Sequence, residues 1–74
     1  LMAPRQVDEQ DVVLTRPTLL YPMDPANPRP LGTLQAGLTV HVIKGATPDK
    51  AHVRFTSSSG QVYEGLARYQ DLGL

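Results

Sequence analysis

Few side chains in this sequence carry reactive chemistry, and local structure accounts for most of those that do. The chain contains no cysteine, which excludes thiol catalysis, disulfides and Cys-rich metal clusters. Ser57, Ser58 and Ser59 form a run of hydroxyls ahead of Gly60, and no histidine follows them. Small serines beside a glycine are what a hairpin turn requires. Asp24 and Asp49 fall in separate loops, and neither has a carboxylate partner with which to share acid and base roles. The sequence therefore assigns no catalytic residue, implies no cofactor and reads as non-enzymatic. His41 and His52 are the remaining candidates for chemistry. On the strand register argued below they face outward about 5 Å apart. Such a pair could hold a transition metal, or repel when both rings protonate near pH 6. A structural zinc site needs four ligands, and no cysteine or third histidine completes this one. The expectation is a surface pair that makes the fold mildly acid-sensitive.

The aromatic residues are Tyr21, Phe55, Tyr63 and Tyr69, and there is no tryptophan. Phe55 and Tyr63 are assigned to the core by alternation. Tyr21 stands where the chain enters residues 22–30, which hold four of the seven prolines. Proline lacks a backbone donor and fixes φ, so this segment is a stiff surface loop. Met23, Asp24, Asn27 and Arg29 project from it. Tyr69 is expected in a short turn before a final strand. An exposed tyrosine at either place could stack on a peptide or a sugar. Alternatively, each ring covers one end of the core. The proline loop could also serve as the ligand, since such segments are preordered.

These residues must be held by strands. Val12-Val13-Leu14-Thr15 is short and β-branched, and Pro17 limits it to a first strand near an edge. Residues 18–21 resume the same character. Leu38, Val40 and Val42 alternate with Thr39 and His41, as Ala51, Val53 and Phe55 do with His52 and Arg54. Period-2 alternation marks strands with one buried face. A four-residue loop over residues 45–48 would set Lys44 opposite Asp49, Val42 opposite Ala51 and Val40 opposite Val53. That register places His41 beside His52. A three-residue turn over residues 58–60 would oppose Phe55 to Tyr63, Val53 to Gly65, Ala51 to Ala67 and Arg54 to Glu64. One register satisfying apolar, aromatic and charge pairs together argues for a three-stranded antiparallel meander over residues 38–67.

The length of 74 residues allows one domain, and a domain this small buries only about 60% of its unfolded surface. Residues 1–11 read as a linker or extended arm, and residues 12–74 as the folded unit. Because the chain opens on Leu1, it reads as a piece of something longer. Seven basic residues balance seven acidic ones, which argues against nucleic acid as a partner. No apolar stretch approaches the roughly 20 residues that span a bilayer as a helix, so no membrane insertion is expected.

From Val12 to Leu74 the chain resembles the bacterial SH3-like (SH3b) family. The resemblance is carried by a strand leading into the proline loop, which stands where the family has its RT-type loop. It continues in Gly32-Thr33-Leu34-Gln35-Ala36-Gly37-Leu38-Thr39-Val40, matching a G-T-L-x-x-G-x-x-V segment. Gly65-Leu66-Ala67-Arg68-Tyr69-Gln70-Asp71-Leu72 stands at the place of a closing G-W-V-x-x-x-x-L element. Leu66 replaces the usual tryptophan, and Leu19-Leu20-Tyr21-Pro22 replaces an L-N-V-R segment. The resemblance implies an all-β SH3-like barrel of about five short antiparallel strands. It implies a binding or targeting module in a larger, extracytoplasmic bacterial protein. Its partner would be a peptide or peptidoglycan fragment, held near Tyr21, Met23, Asp24, Asn27, Arg29 and Tyr69. The rival reading is a structural module packing against a neighbouring domain or a second copy, with Ile43, Val62 and Leu66 as its outward apolar patch. The oligomeric state stays open.

Overall fold

Serine and glycine chemistry sets the best-defined turn. In the computed structural model, which describes residues 5–74, Gly60 adopts φ +86° and its N–H donates to Ser57 O at 2.9 Å. The Ser57 N–H donates to Gln61 O at 2.8 Å, and the Ser57 hydroxyl oxygen accepts from Gln61 N–H at 3.2 Å. This turn joins β5 (Lys50–Thr56) to β6 (Val62–Arg68). The pairs are Phe55 with Tyr63, Arg54 with Glu64, Val53 with Gly65 and Ala51 with Ala67, as the alternation predicts.

The preceding hairpin departs from expectation. β4 (Thr39–Gly45) pairs with β5, but Val42 faces Val53 and His41 faces Arg54. This lies two residues from the predicted register. Beyond a bulge between Val42 and Lys44, Lys44 faces His52 and Gly45 faces Ala51. The cause lies in the loop. Ala46 and Thr47 N–H both donate to Lys50 O at 3.0 Å, and the Thr47 hydroxyl oxygen accepts from Lys50 N–H at 2.9 Å. The last paired residues, Gly45 and Ala51, therefore enclose five residues, in a turn closed by a side chain. A slip of two preserves the faces, so Val40, Val42, Ala51 and Val53 are all buried as predicted.

The sequence suggests about five strands, and the described residues form six. β1 (Gln10–Val13) begins within the segment expected to be an arm, and β2 (Thr18–Leu20) and β3 (Gly32–Leu34) flank the proline loop. The order β1-β4-β5-β6 makes a four-stranded antiparallel sheet, with β2-β3 as a separate antiparallel ribbon. One bridge, Tyr21 with Leu66, ties the ribbon to β6. Pro22 follows directly and opens the proline loop, which carries the chain away from β6. The sheets thus do not close through a continuous ladder. The fold is all-β in character apart from α1 (Tyr69–Leu72), a single turn that replaces the expected turn and final strand.

The core lies between sheet and ribbon, built on Leu14, Leu20, Val40, Val42, Val53 and Leu72. Val7 packs against it from the amino-terminal segment. Two assignments are corrected. Leu66, expected to face outward, is buried, whereas Tyr63, expected in the core, is 48% exposed. Leu66 is covered because Tyr21 pairs with it. Tyr63 lies toward the turn end of β6, beyond the cover of β2, where its ring stacks on Phe55 at 6.4 Å.

Candidate functional site

The proline loop is preorganised by its own side chains. The Asp24 carboxylate accepts from Ala26 N–H at 3.0 Å, and Asn27 N–H donates to Asp24 O at 3.0 Å. Asn27 Oδ1 then accepts from Arg29 N–H at 3.0 Å. Asn and Asp favour turns through such contacts with the backbone two residues on. The loop closes where Leu31 N–H donates to Leu20 O at 2.7 Å.

This loop and β6 enclose a cleft of about 280 Å³ that includes Tyr21, Pro22, Asp24, Asn27, Lys50 and Leu66 among its walls. Three of the predicted binding residues (Tyr21, Asp24 and Asn27) therefore meet. Met23, 46% exposed, and the exposed Arg29 lie on the loop outside the cleft. Lys50 was not singled out from the sequence. Its Nζ lies 5.0 Å from the centre of the Tyr21 ring and 3.3 Å from Asp49 Oδ2. The Asp49 carboxyl is held below its ordinary value, first by the Thr47 hydroxyl that donates to it and then by Lys50. The cleft thus offers an aromatic face and a cation, which suits a ligand carrying a carboxylate beside apolar or sugar surface.

Tyr69 does not join this cleft. Its ring is buried at 4% exposure, and its hydroxyl donates to Arg5 O at 3.3 Å. The Arg5 guanidinium lies 4.6 Å from the ring centre. Burial raises the Tyr69 hydroxyl above its ordinary pKa. Tyr69 lines a second depression of about 420 Å³ with Arg5, Pro48, Asp49, Arg68 and Gln70. The expected pair of exposed, adjacent tyrosines is therefore corrected. Arg5 lies in a segment that composition alone reads as a linker, so no local signal announced its cover of Tyr69.

The histidines are also separated. His41 Nδ1 lies 2.8 Å from Asp11 Oδ1, and Nε2 lies 2.6 Å from Glu9 Oε2. Hydrogen bonding to Asp11, then to Glu9, raises the pKa of the ring above its ordinary value. His52 Nε2 instead meets Glu64 Oε1 at 2.8 Å. The changed register removes the predicted His41–His52 pairing. Among the described residues no group of three His, Asp or Glu side chains is placed to hold a metal ion. The low-pH repulsion expected of the pair has no basis either, because each ring faces carboxylates.

No protein-family model, curated protein or solved structure matches this chain.

Proposed function

We propose that this chain is a non-catalytic binding module of the SH3-like kind. The all-β build, the long proline loop between paired strands and the three-stranded meander support this reading. The single observation that carries it is the convergence of Tyr21, Asp24 and Asn27 on one cleft with Lys50 above the tyrosine ring. A carboxylate on the ligand would pair with the Lys50 ammonium, while an apolar or sugar face packs on Tyr21. The ligand class is a peptide or a cell-wall peptidoglycan fragment, and the setting is a larger extracytoplasmic bacterial protein. Loops on a rigid β scaffold are where recognition concentrates.

The test is an NMR titration of the labelled chain with soluble peptidoglycan fragments and, separately, with carboxylate-ending peptides. Amide shifts centred on Tyr21, residues 24–27 and Lys50, weakened at least tenfold by Tyr21→Ala, are expected. An unchanged spectrum at millimolar ligand would reject the reading. A second reading, a structural module that packs against a neighbouring domain, is favoured by the exposure of Leu31, Val62 and Tyr63. It predicts instead a contact on that apolar surface and none at the loop cleft.

A further inference from the structure

The outer edge of β6 is only half covered. Leu66 exchanges two backbone hydrogen bonds with Tyr21, at 2.7 and 2.8 Å, so its N–H and C=O point away from β5. Backbone groups alternate in direction along a strand. Glu64 and Val62 therefore aim their N–H and C=O groups the same way as Leu66, away from their β5 neighbours Arg54 and Thr56. The bond from Ser57 N–H to Gln61 O fixes the same alternation from the turn end. No backbone hydrogen bond from a described residue outside the β5 ladder reaches Val62 or Glu64. The cause is the proline loop that Pro22 opens. Continuing the β2 ladder would bring Met23 opposite Glu64, but the chain turns into the proline loop and vacates that position.

A groove of about 350 Å³ runs beside this stretch, with Leu20, Leu31, Leu34, Phe55 and Tyr63 in its walls and Glu64 as the one charged residue among the described residues that line it. Leu31 is 64% exposed and Val62 53%. An edge with free backbone groups beside an apolar groove is the arrangement that strand addition uses.

We infer that the vacated half of the β6 edge accepts an extended peptide, running antiparallel to β6 and prolonging the ladder that Tyr21 begins. Side chains alternate between faces. The residue opposite Glu64 shares the face of its carboxylate and is basic. Its two neighbours point to the face of Tyr63 and enter the groove, so they are apolar. This surface lies outside the Tyr21–Lys50 cleft, and the inference does not rest on what that cleft binds.

The probe is an end-capped pentapeptide of alternating valine and lysine, titrated into the isotope-labelled chain. Amide shifts at Val62, Tyr63 and Glu64 are expected. Methylating the backbone nitrogens of the two lysines should weaken binding at least tenfold. Val62→Pro, which removes an outward N–H and leaves the β5 ladder alone, should do the same. The methylated peptide tests the idea even if that variant fails to fold. Equal binding of both peptides, shifts that avoid β6, or no shifts at millimolar peptide would overturn it. Concentration-dependent shifts at Val62 and Glu64 without peptide would also overturn it, since a second copy would then occupy the edge.

Discussion

At the residue scale, His41 is held between two carboxylates. Both of its ring nitrogens meet carboxylates, Asp11 and Glu9, while Arg54 stands opposite on β5. A proton on each nitrogen satisfies both carboxylates, so binding favours the charged ring. The ring should therefore titrate above its ordinary value of 6.5. A group whose folded pKa is raised stabilises the fold fully below its unfolded pKa and loses that contribution as pH rises through the folded pKa. The attachment of residues 9–11 to β4 should thus weaken as pH climbs from about 6.5 through the His41 midpoint. This is opposite in sign to the repulsion expected of a histidine pair. Following the ring signals by NMR against pH should give a midpoint above 6.5, moving down in Asp11→Asn. A midpoint at or below 6.5 in the parent chain would show that the two contacts do not hold the proton.

At the element scale, two close approaches depend on the absence of a side chain. A Cβ at Gly65 would collide with the Tyr21 carbonyl oxygen and come within 2.9 Å of Leu20 Cδ1. Gly65→Ala should push β2 off β6 and destabilise the fold by about 1–3 kcal/mol, the usual scale of overpacking. At Gly45 a Cβ would strike the Arg5 carbonyl oxygen and approach Tyr69 Oη to 2.6 Å. Gly45→Ala should lift the amino-terminal segment and expose the Tyr69 ring. Gly32 has nothing within 4 Å of its would-be Cβ, so Gly32→Ala should change stability by no more than about 0.5 kcal/mol. Thermal unfolding of the three variants, with chemical modification of tyrosine as a readout of Tyr69, checks the set. Equal behaviour of Gly65→Ala and Gly32→Ala would mean that β2 does not pack on β6 as described.

At the scale of the whole molecule, stability rests on one thin core. With no disulfide and 74 residues, the fold has little in reserve, since domains of this size bury a modest share of their surface. Leu14 is 2% exposed and is held at both backbone ends, its N–H donating to Leu38 O and its C=O accepting from Gly37 N–H. Leu14→Ala should cost about 2–5 kcal/mol, a large part of the roughly 5–15 kcal/mol typical of folded domains. Urea unfolding should show a sharply lowered midpoint with an unchanged slope. A loss below about 1 kcal/mol would place Leu14 outside the core.

The residues that determined their own structure are those whose signals are local. Alternation from Val40 to Val53 sets which side chains of β4 and β5 are buried, because a strand repeats every two residues, whereas on β6 it misplaces Tyr63 and Leu66. The β5–β6 register follows from a turn that only a residue tolerant of positive φ closes comfortably, and Gly60 supplies it. Four prolines in residues 22–30 rule out helix and central strand there, and the loop cleft was legible through Tyr21, Asp24 and Asn27. Tertiary structure decided the rest. The β4–β5 register depends on the Thr47 hydroxyl capturing Lys50 N–H, and on a bulge that alternation cannot announce. Tyr69 is buried by Arg5, a residue 64 positions away. Leu66 is covered by Tyr21, and Lys50 reaches the Tyr21 ring from β5. The Arg5–Tyr69, Tyr21–Leu66 and Lys50–Tyr21 contacts join segments whose neighbours in sequence carry no trace of the partner. Only the closing of long loops brings them together, at an entropic cost that the whole core must offset.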